Sequence, residues 1–360
     1  MARPSHMLVD LAALINNYQW ACQLAPHAQT MAVVKANAYG HGMVACATAL
    51  QAYAPALAVA CIEEALALRE AGIHKPILLL EGTFTADEVA VAAAQDFWLM
   101  VENPKQVQAI LNAQVCKPVT VWIKVDSGMH RLGFNPQQVQ AYYPQLLASP
   151  NVAEDMVFAT HFASADETSN NFTRLQVQQF MTTAKRFKHP VSLANSAAIM
   201  AWPEAHGDWN RAGFMLYGNS PLDTDHASSD GLLPVMQLWS GIISVRQIDV
   251  GESVGYGQQW RAQRPSVIAT VAMGYGDGYP RNAASGTPVL VNGQRAHIVG
   301  RVSMDMITVD VTDLNETQIG DPVCLWGPGL NINEVAHHAG TIGYELMTRI
   351  TQRLPIRYTH

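Results

Sequence analysis

A short apolar run followed by a stretch with apolar side chains at helical spacing recurs through the N-terminal two thirds of this chain. Strand candidates fall at Met31 to Val34 ahead of Lys35, Leu57 to Ala60, Ile77 to Leu80, Phe97 to Val101, Val119 to Val125, Met156 to His161, Val191 to Ala194 and Arg211 to Tyr217. Helical spacing occupies Ile62 to Ala71, Ala86 to Ala94, Lys105 to Asn112, Gln137 to Ala148 and Phe172 to Phe187. Eight strands, most of them separated by a helix, predict an α/β fold with a parallel (β/α)8 barrel rather than an open sheet. A strand-like opening at Met7 to Asp10 and a helix over Leu11 to Leu24 precede them.

The pattern changes near residue 225, where Asp223 to Gly231 is polar and small, as linkers are. Beyond it, short alternating runs at Ile242 to Ile248, Ser266 to Ala272, Pro288 to Val291, Met306 to Val311 and Pro322 to Trp326 are broken by Gly, Pro and Asp. The expected division is a barrel over 8–225 and a C-terminal mainly-β domain over 226–360, with the opening at 1–7 able to join the latter as a strand. With 360 residues, 49% hydrophobic and only 14% charged, the chain can bury cores of that size.

Charge and apolar pattern exclude several classes. A net charge of −7 with no Lys/Arg run speaks against nucleic acid as a partner. No apolar stretch is long enough to span a membrane, and no basic-then-apolar leader opens the chain, so the expected location is the cytoplasm. Cys22, Cys46, Cys61, Cys116 and Cys324 are odd in number, scattered and without CxxC spacing, which reads as free thiols and no metal site. His337-His338 reads as a helix surface pair.

In a (β/α)8 barrel, polar residues at the C-terminal strand ends have the strongest claim to function. Lys35 closes one strand and is followed by Tyr39, His41 and turn-forming glycines; Arg131 follows another; His161 and Asn195-Ser196 close two more. Each has a plainer alternative. Lys35 and Arg131 could be solvated, His161 could be a satisfied core histidine, and Asn195-Ser196 could cap a helix. Three glycine-rich segments in the second domain, around Tyr256, Tyr275 and Arg301, could likewise be ordinary turns, and no GxxxxGK nucleotide loop is present.

Taken together, the motifs VVKANAYGHG at Lys35, RAGFMLYG at Arg211, VGYG at Tyr256, GYGDGYPR at Tyr275, GRVSMDM at Arg301 and TIGYE at Tyr344 resemble those of the alanine racemases, in order and from Leu8 to Arg353. The resemblance implies pyridoxal 5'-phosphate (PLP) held by Lys35, and a homodimer in which Tyr256 of one subunit is the second catalytic base for the other. It implies cofactor contacts from Tyr39, Arg131, His161, Asn195, Ser196, Arg211, Gly213, Phe214 and Tyr344, with Arg211 at the pyridine nitrogen. It places Arg131, Met304 and Asp305 on the carboxylate of a small amino-acid substrate, and Asp166, Tyr275, Arg281, Arg301 and Ile342 along the entrance. Lys124 matches a position that is carbamylated in some members; an ordinary lysine at a strand end is the alternative. The implied reaction is interconversion of L- and D-alanine for peptidoglycan. A broader-specificity racemase, acting for instance on serine, and a non-catalytic PLP-binding homeostasis protein stand as alternatives.

Overall fold

The apolar run ahead of Lys35 buries its side chains on both faces, as a parallel strand covered by helices must. In the computed structural model, which describes residues 3–314 and 316–360, this run is β2 (Gln29–Val33), preceded by β1 (His6–Asp10) and α1 (Leu11–Leu24). After Lys35 come α2 (Met43–Leu50), β3 (Leu57–Val59), α3 (Ile62–Glu70), β4 (Ile77–Leu79), α4 (Glu88–Gln95), β5 (Phe97–Val101), α5 (Pro104–Asn112) and β6 (Val121–Lys124). They are followed by α6 (Pro136–Leu147), β7 (Val157–Ala159), α7 (Phe172–Ala184), β8 (Val191–Ser192), α8 (Ser196–Ala201) and β9 (Trp209–Ala212).

Strands β2 to β9 form one parallel eight-stranded sheet in which β9 returns to pair with β2. The Arg211 N–H donates to Ala194 O at 3.0 Å, which closes the ring between β9 and the end of β8. This is the expected barrel. Its interior is filled rather than hollow: Met31, Val33, Leu78, Met100 and Trp122 pack with Trp98 and Trp209. The three indoles stand 5.5 to 5.9 Å apart, centroid to centroid. Such a plug leaves chemistry to the strand ends.

The expected strand over Arg211 to Tyr217 is shorter than its apolar run. It ends at Ala212, the chain turns at Gly213 (φ −123°, ψ −96°), and Phe214–Tyr217 is a 3-10 turn. The Tyr217 hydroxyl donates to Val33 O at 2.9 Å, which needs that turn.

The second unit comprises residues up to Ala13 together with Leu233–His360; Leu14–Leu232 is the first. The polar run near 225 is therefore not the divide. It packs within the barrel unit, where Trp20 Nε1 donates to Ser228 O at 2.8 Å and Asn16 Nδ2 to Gly231 O at 3.2 Å. The expected edge at residue 8 also moves, because β1 is a strand of the other sheet. That sheet adds β10 (Met236–Ile248), then, after a separate ribbon of β11 (Ser253–Val254) and β12 (Trp260–Arg261), β13 (Ser266–Val271), β14 (Pro288–Val291), β15 (Gln294–Ile298), β16 (Ile307–Asp310) and β17 (Pro322–Trp326). After α9 (Ile332–His338) and α10 (Gly343–Thr348), β18 (Ile356–Thr359) completes it. The order is β13-β16-β15-β14-β17-β10-β1-β18, with β10 also pairing β13 and β11-β12 standing apart. Residues 1 and 2 of the proposed opening strand lie outside the described residues. Both β15 and β18 are absent from the expected set, because QRAHI and IRYT present mostly exposed or polar side chains and lack an apolar alternation.

Candidate active site

Lys35 follows β2 at the barrel's C-terminal mouth, and the backbone after it is unusual. Ala36, Asn37, Ala38 and Tyr39 all have φ between 51° and 54°, a left-handed helical turn of non-glycine residues. Each such residue costs about 1–2 kcal/mol, so the surroundings must hold the turn. Ala38 N–H donates to Val34 O at 2.9 Å, Gly40 N–H to Ala36 O at 3.0 Å, and Ala36 N–H to Glu64 Oε1 at 2.6 Å. The other Glu64 oxygen accepts from Ala60 N–H at 2.8 Å, tying the turn to the end of β3. Buried His41 lies 2.9 Å from Ala38 O and 3.0 Å from Tyr39 O through Nδ1, so Nδ1 carries the hydrogen. Its ring stacks on Tyr217 at 4.5 Å, and burial lowers its pKa to about 4. Strain of this kind concentrates at functional sites. Half-buried Lys35 is held below the ordinary lysine range by burial, against the pull of Glu81 and with the help of Arg131.

Arg211 at the end of β9 is buried and fully committed at its fork. One terminal nitrogen donates to Ser192 O at 3.0 Å and Ser192 Oγ at 2.6 Å; the other donates to Thr160 O at 2.7 Å and Leu193 O at 3.2 Å. Nε makes no hydrogen bond among the described residues. Burial lowers its pKa to about 10, which leaves the guanidinium charged at neutral pH. His161 Nδ1 sits 3.4 Å from the same fork. Burial, reinforced by Arg211, Arg131 and the nearby lysines, keeps that imidazole neutral well below the usual range.

Ser196 Oγ accepts from Gly213 N–H at 2.9 Å and Met215 N–H at 3.3 Å. A Cβ at position 213 would come within 2.8 Å of Tyr39 Oη, so only glycine leaves this cradle open. Burial pushes the Tyr39 phenol up to about 12. Asn195 caps α8 through Oδ1, accepting from Ala198 N–H at 3.1 Å; the capping alternative is realised. Phe214 is buried beside Gly213.

Arg131 stands exposed on the loop after β6. That loop is pinned by Asp126, whose carboxylate accepts from Gly128 N–H and His130 N–H at 3.0 Å each, and by Phe134 N–H donating to Lys124 O at 2.8 Å. Lys124, at the end of β6, pairs with Glu102 just past β5, Nζ to Oε2 3.4 Å. The sequence reading missed Glu102, Glu64, Thr160 and Ser192. Glu102 carried a signal, since it is a polar residue directly after an apolar strand; Thr160 contributes a carbonyl, which no side-chain pattern reveals, and Ser192 a carbonyl and its hydroxyl. Asp166 lies exposed on the loop after β7.

In the β unit, two motifs meet. Tyr275 N–H donates to Ser303 O at 3.0 Å and Gly276 N–H to Met304 O at 2.8 Å. A side chain at Gly274 would collide with the carbonyls of Ser303 and Met304. Asp305 pairs with Arg353 at 2.7 Å, while Met304 is exposed. Gly300 (φ 77°) passes Val254 O so closely that a Cβ would stand 2.8 Å away, joining the Arg301 and Tyr256 segments. Arg281 and Arg301 line a cavity of about 620 Å³ with Gln259, Asn282 and Ser285. Tyr256, in a turn of the β11-β12 ribbon, is 72% exposed and Ile342 61%. Tyr344 lies in α10.

The fold and its mouth define a (β/α)8-barrel enzyme with a lysine-centred, cation-rich site. Residues 9–221 match the alanine racemase N-terminal domain and residues 235–358 the alanine racemase C-terminal domain. An alanine racemase of Chromohalobacter salexigens is 53% identical over 99% of this chain and 98% of its own length. A catabolic alanine racemase of Pseudomonas putida is 48% identical over 99% of each. The crystal structure of the biosynthetic alanine racemase from Pseudomonas aeruginosa superposes with a TM-score of 0.96 at 49% identity, covering 99% of this chain and 100% of that one. The chain belongs to the alanine racemase family.

Proposed function

We infer that the barrel mouth racemises alanine with PLP, using Lys35 and the Tyr256 of a partner subunit as opposed proton carriers. The chain is a PLP-dependent isomerase that interconverts L- and D-alanine. The observation that supports the site assignment is Lys35 on a strained turn, its ammonium destabilised by burial, beside a buried Arg211 whose Nε has no hydrogen-bond partner among the described residues.

The residues fit the cofactor. Ser196 Oγ accepts two backbone N–H groups and, among the described residues, donates to none, and the open cradle at Gly213, with Asn195, Phe214 and Tyr39, suits a phosphate. Arg211 suits the pyridine nitrogen and His161 the ring's surroundings. When bound, PLP supplies the electron sink that makes the Cα–H bond of an amino acid acidic. Arg211 remains charged and only donates, so it keeps its proton and moderates that sink, favouring racemisation over transamination or elimination. Lys35 would hold the cofactor, then take or return the Cα proton on one face. Tyr256 serves the other, and a phenol needs cationic neighbours such as Arg131 to do so near neutral pH. Arg131, Met304 and Asp305 orient the substrate carboxylate; Asp166, Tyr275, Arg281, Arg301 and Ile342 narrow the entrance.

Tyr256 is nearly bare within its own chain, which supports a homodimer with shared sites. Five free cysteines support a reducing compartment, hence the cytoplasm, where D-alanine would feed peptidoglycan synthesis. A turnover panel of L-amino acids with detection of the D-products tests the substrate assignment. Alanine should lead and serine follow, since one hydroxyl is weakly discriminated by a small pocket; comparable turnover of larger side chains would overturn the assignment to alanine.

A further inference from the structure

We propose that Arg3, ahead of β1, is a positioning residue for the substrate entrance: by holding the buried carboxylate of Asp277 it leaves Arg353 to Asp305, and so fixes the Tyr275 and Met304 turns against each other. The Arg3 guanidinium grips Asp277 with both prongs, Nη1 to Oδ1 at 2.5 Å and Nη2 to Oδ2 at 2.7 Å. Asp277 is fully buried and Arg3 is 33% exposed. Nη2 also donates to Ala272 O at 3.2 Å and to Asp305 O at 3.4 Å. One side chain thus touches both turns.

Asp277 closes the turn that carries Tyr275. Its Oδ2 accepts from Gly274 N–H at 3.0 Å, and its own N–H donates to Gly274 O at 3.0 Å. A second arginine reaches the same carboxylate from just ahead of β18. Arg353 Nε lies 3.5 Å from Asp277 Oδ1, while its Nη2 donates to Asp305 Oδ1 at 2.7 Å. The longer contact is the weaker one, so Arg353 is committed to Asp305 and Arg3 to Asp277. The fit is close, because a Cβ at Gly276 would collide with Arg353 Nη1.

Sheet register brings the two arginines together. Strands β1 and β18 run parallel with Met7 opposite Ile356, so the residues just ahead of each strand emerge at the same end of the sheet. Buried Ser5 anchors the first of them, since its hydroxyl donates to Ala272 O, the carbonyl that also accepts from Arg3. An exposed ion pair at this place would matter little. This one has a buried carboxylate, and removing the main cation from a buried carboxylate leaves a charge that must find another partner. Without Arg3, Asp277 draws on Arg353. Asp305 then gives up its ion pair, and the turn through Met304 loosens against Tyr275.

The proposal deepens, and rests on, the reading above that Tyr275 narrows the entrance and that Met304 and Asp305 orient the substrate carboxylate. In the holoenzyme, Arg3→Ala should raise the KM for L-alanine about tenfold with kcat changed less. It should also lower the preference in kcat/KM for L-alanine over its homologue with one more methylene by about fivefold, out of the roughly 10- to 200-fold that one methylene is worth. Cofactor absorbance and affinity should stay as in the wild type, because Lys35 and its clamps belong to the other unit. Arg3→Lys, which keeps the charge but not the fork, should fall between the two. A loss of folded protein alone would scale both substrates equally and leave the preference unmoved. A KM and a preference unchanged in folded Arg3→Ala overturn the proposal, as does a loss confined to kcat; if that variant does not fold, the same results for Arg3→Lys overturn it. A wild type that racemises no amino acid sinks the functional reading and this proposal together, whereas an active wild type with an indifferent Arg3 sinks the proposal alone.

Discussion

The Lys35 turn and the Tyr256 turn are both glycine-flanked, yet they are built in opposite ways. The first is a left-handed turn locked by Glu64, His41 and the strand carbonyls inside a barrel. The second sits on a two-residue ribbon with its tyrosine 72% exposed. Lys35 is thus held in place by its own unit, whereas Tyr256 stands open to solvent within its own chain. The shared site proposed above would be competent only when these two halves meet.

The contrast can be broken most directly at Lys35. Replacing it by Ala should lower racemase activity on the order of 10⁴-fold and remove the visible absorbance of the bound cofactor; a persisting band would rule Lys35 out as the cofactor lysine. At the other half, Tyr256→Phe should cost about 10²- to 10³-fold and make isotope exchange at Cα unequal between the enantiomers. Equal losses in both directions would argue against two opposed bases.

The locked half also has an acid weakness. His41 has a folded pKa of about 4, below its ordinary value of 6.5, so its neutral form is preferred in the folded state. Its contribution is complete above pH 6.5 and is lost as pH falls toward 4, a decline of about 3 kcal/mol. Urea midpoints for wild type and His41→Gln at pH 7 and pH 4.5 should differ in their pH dependence by most of that amount; parallel declines would place the acid sensitivity elsewhere. The smallest effect belongs to Asn195→Ala, which should cost about 1 kcal/mol as a lost helix cap and lower Tm by a few degrees. If the cofactor's absorbance or affinity also changes, Asn195 does more than cap.

Much of this was legible beforehand because short-range chemistry wrote it. Eight apolar runs marked the barrel strands, since a parallel sheet buries both faces, and Lys35, His161 and Asn195-Ser196 stood where those runs stop. The signal failed where the apolar run and the strand are different things: Phe214 to Tyr217 is apolar because it is buried, not because it is extended. It failed again at 223–231, whose polarity suggested a linker although Trp20 holds it to the barrel unit.

The left-handed turn after Lys35 lies further out of reach, since Ala36 and Ala38 would favour a right-handed helix and local propensity argues against what they adopt. Residue order alone fixed the barrel, the lysine at its mouth and the family motifs, because side-chain periodicity and strand termini are local properties of the chain. The partners of those residues are another matter. That Glu64 and His41 clamp the turn, that carbonyls from β7 and β8 hold Arg211, and that Glu102 meets Lys124 followed from folding, because these groups are distant in sequence and meet only once the sheet closes.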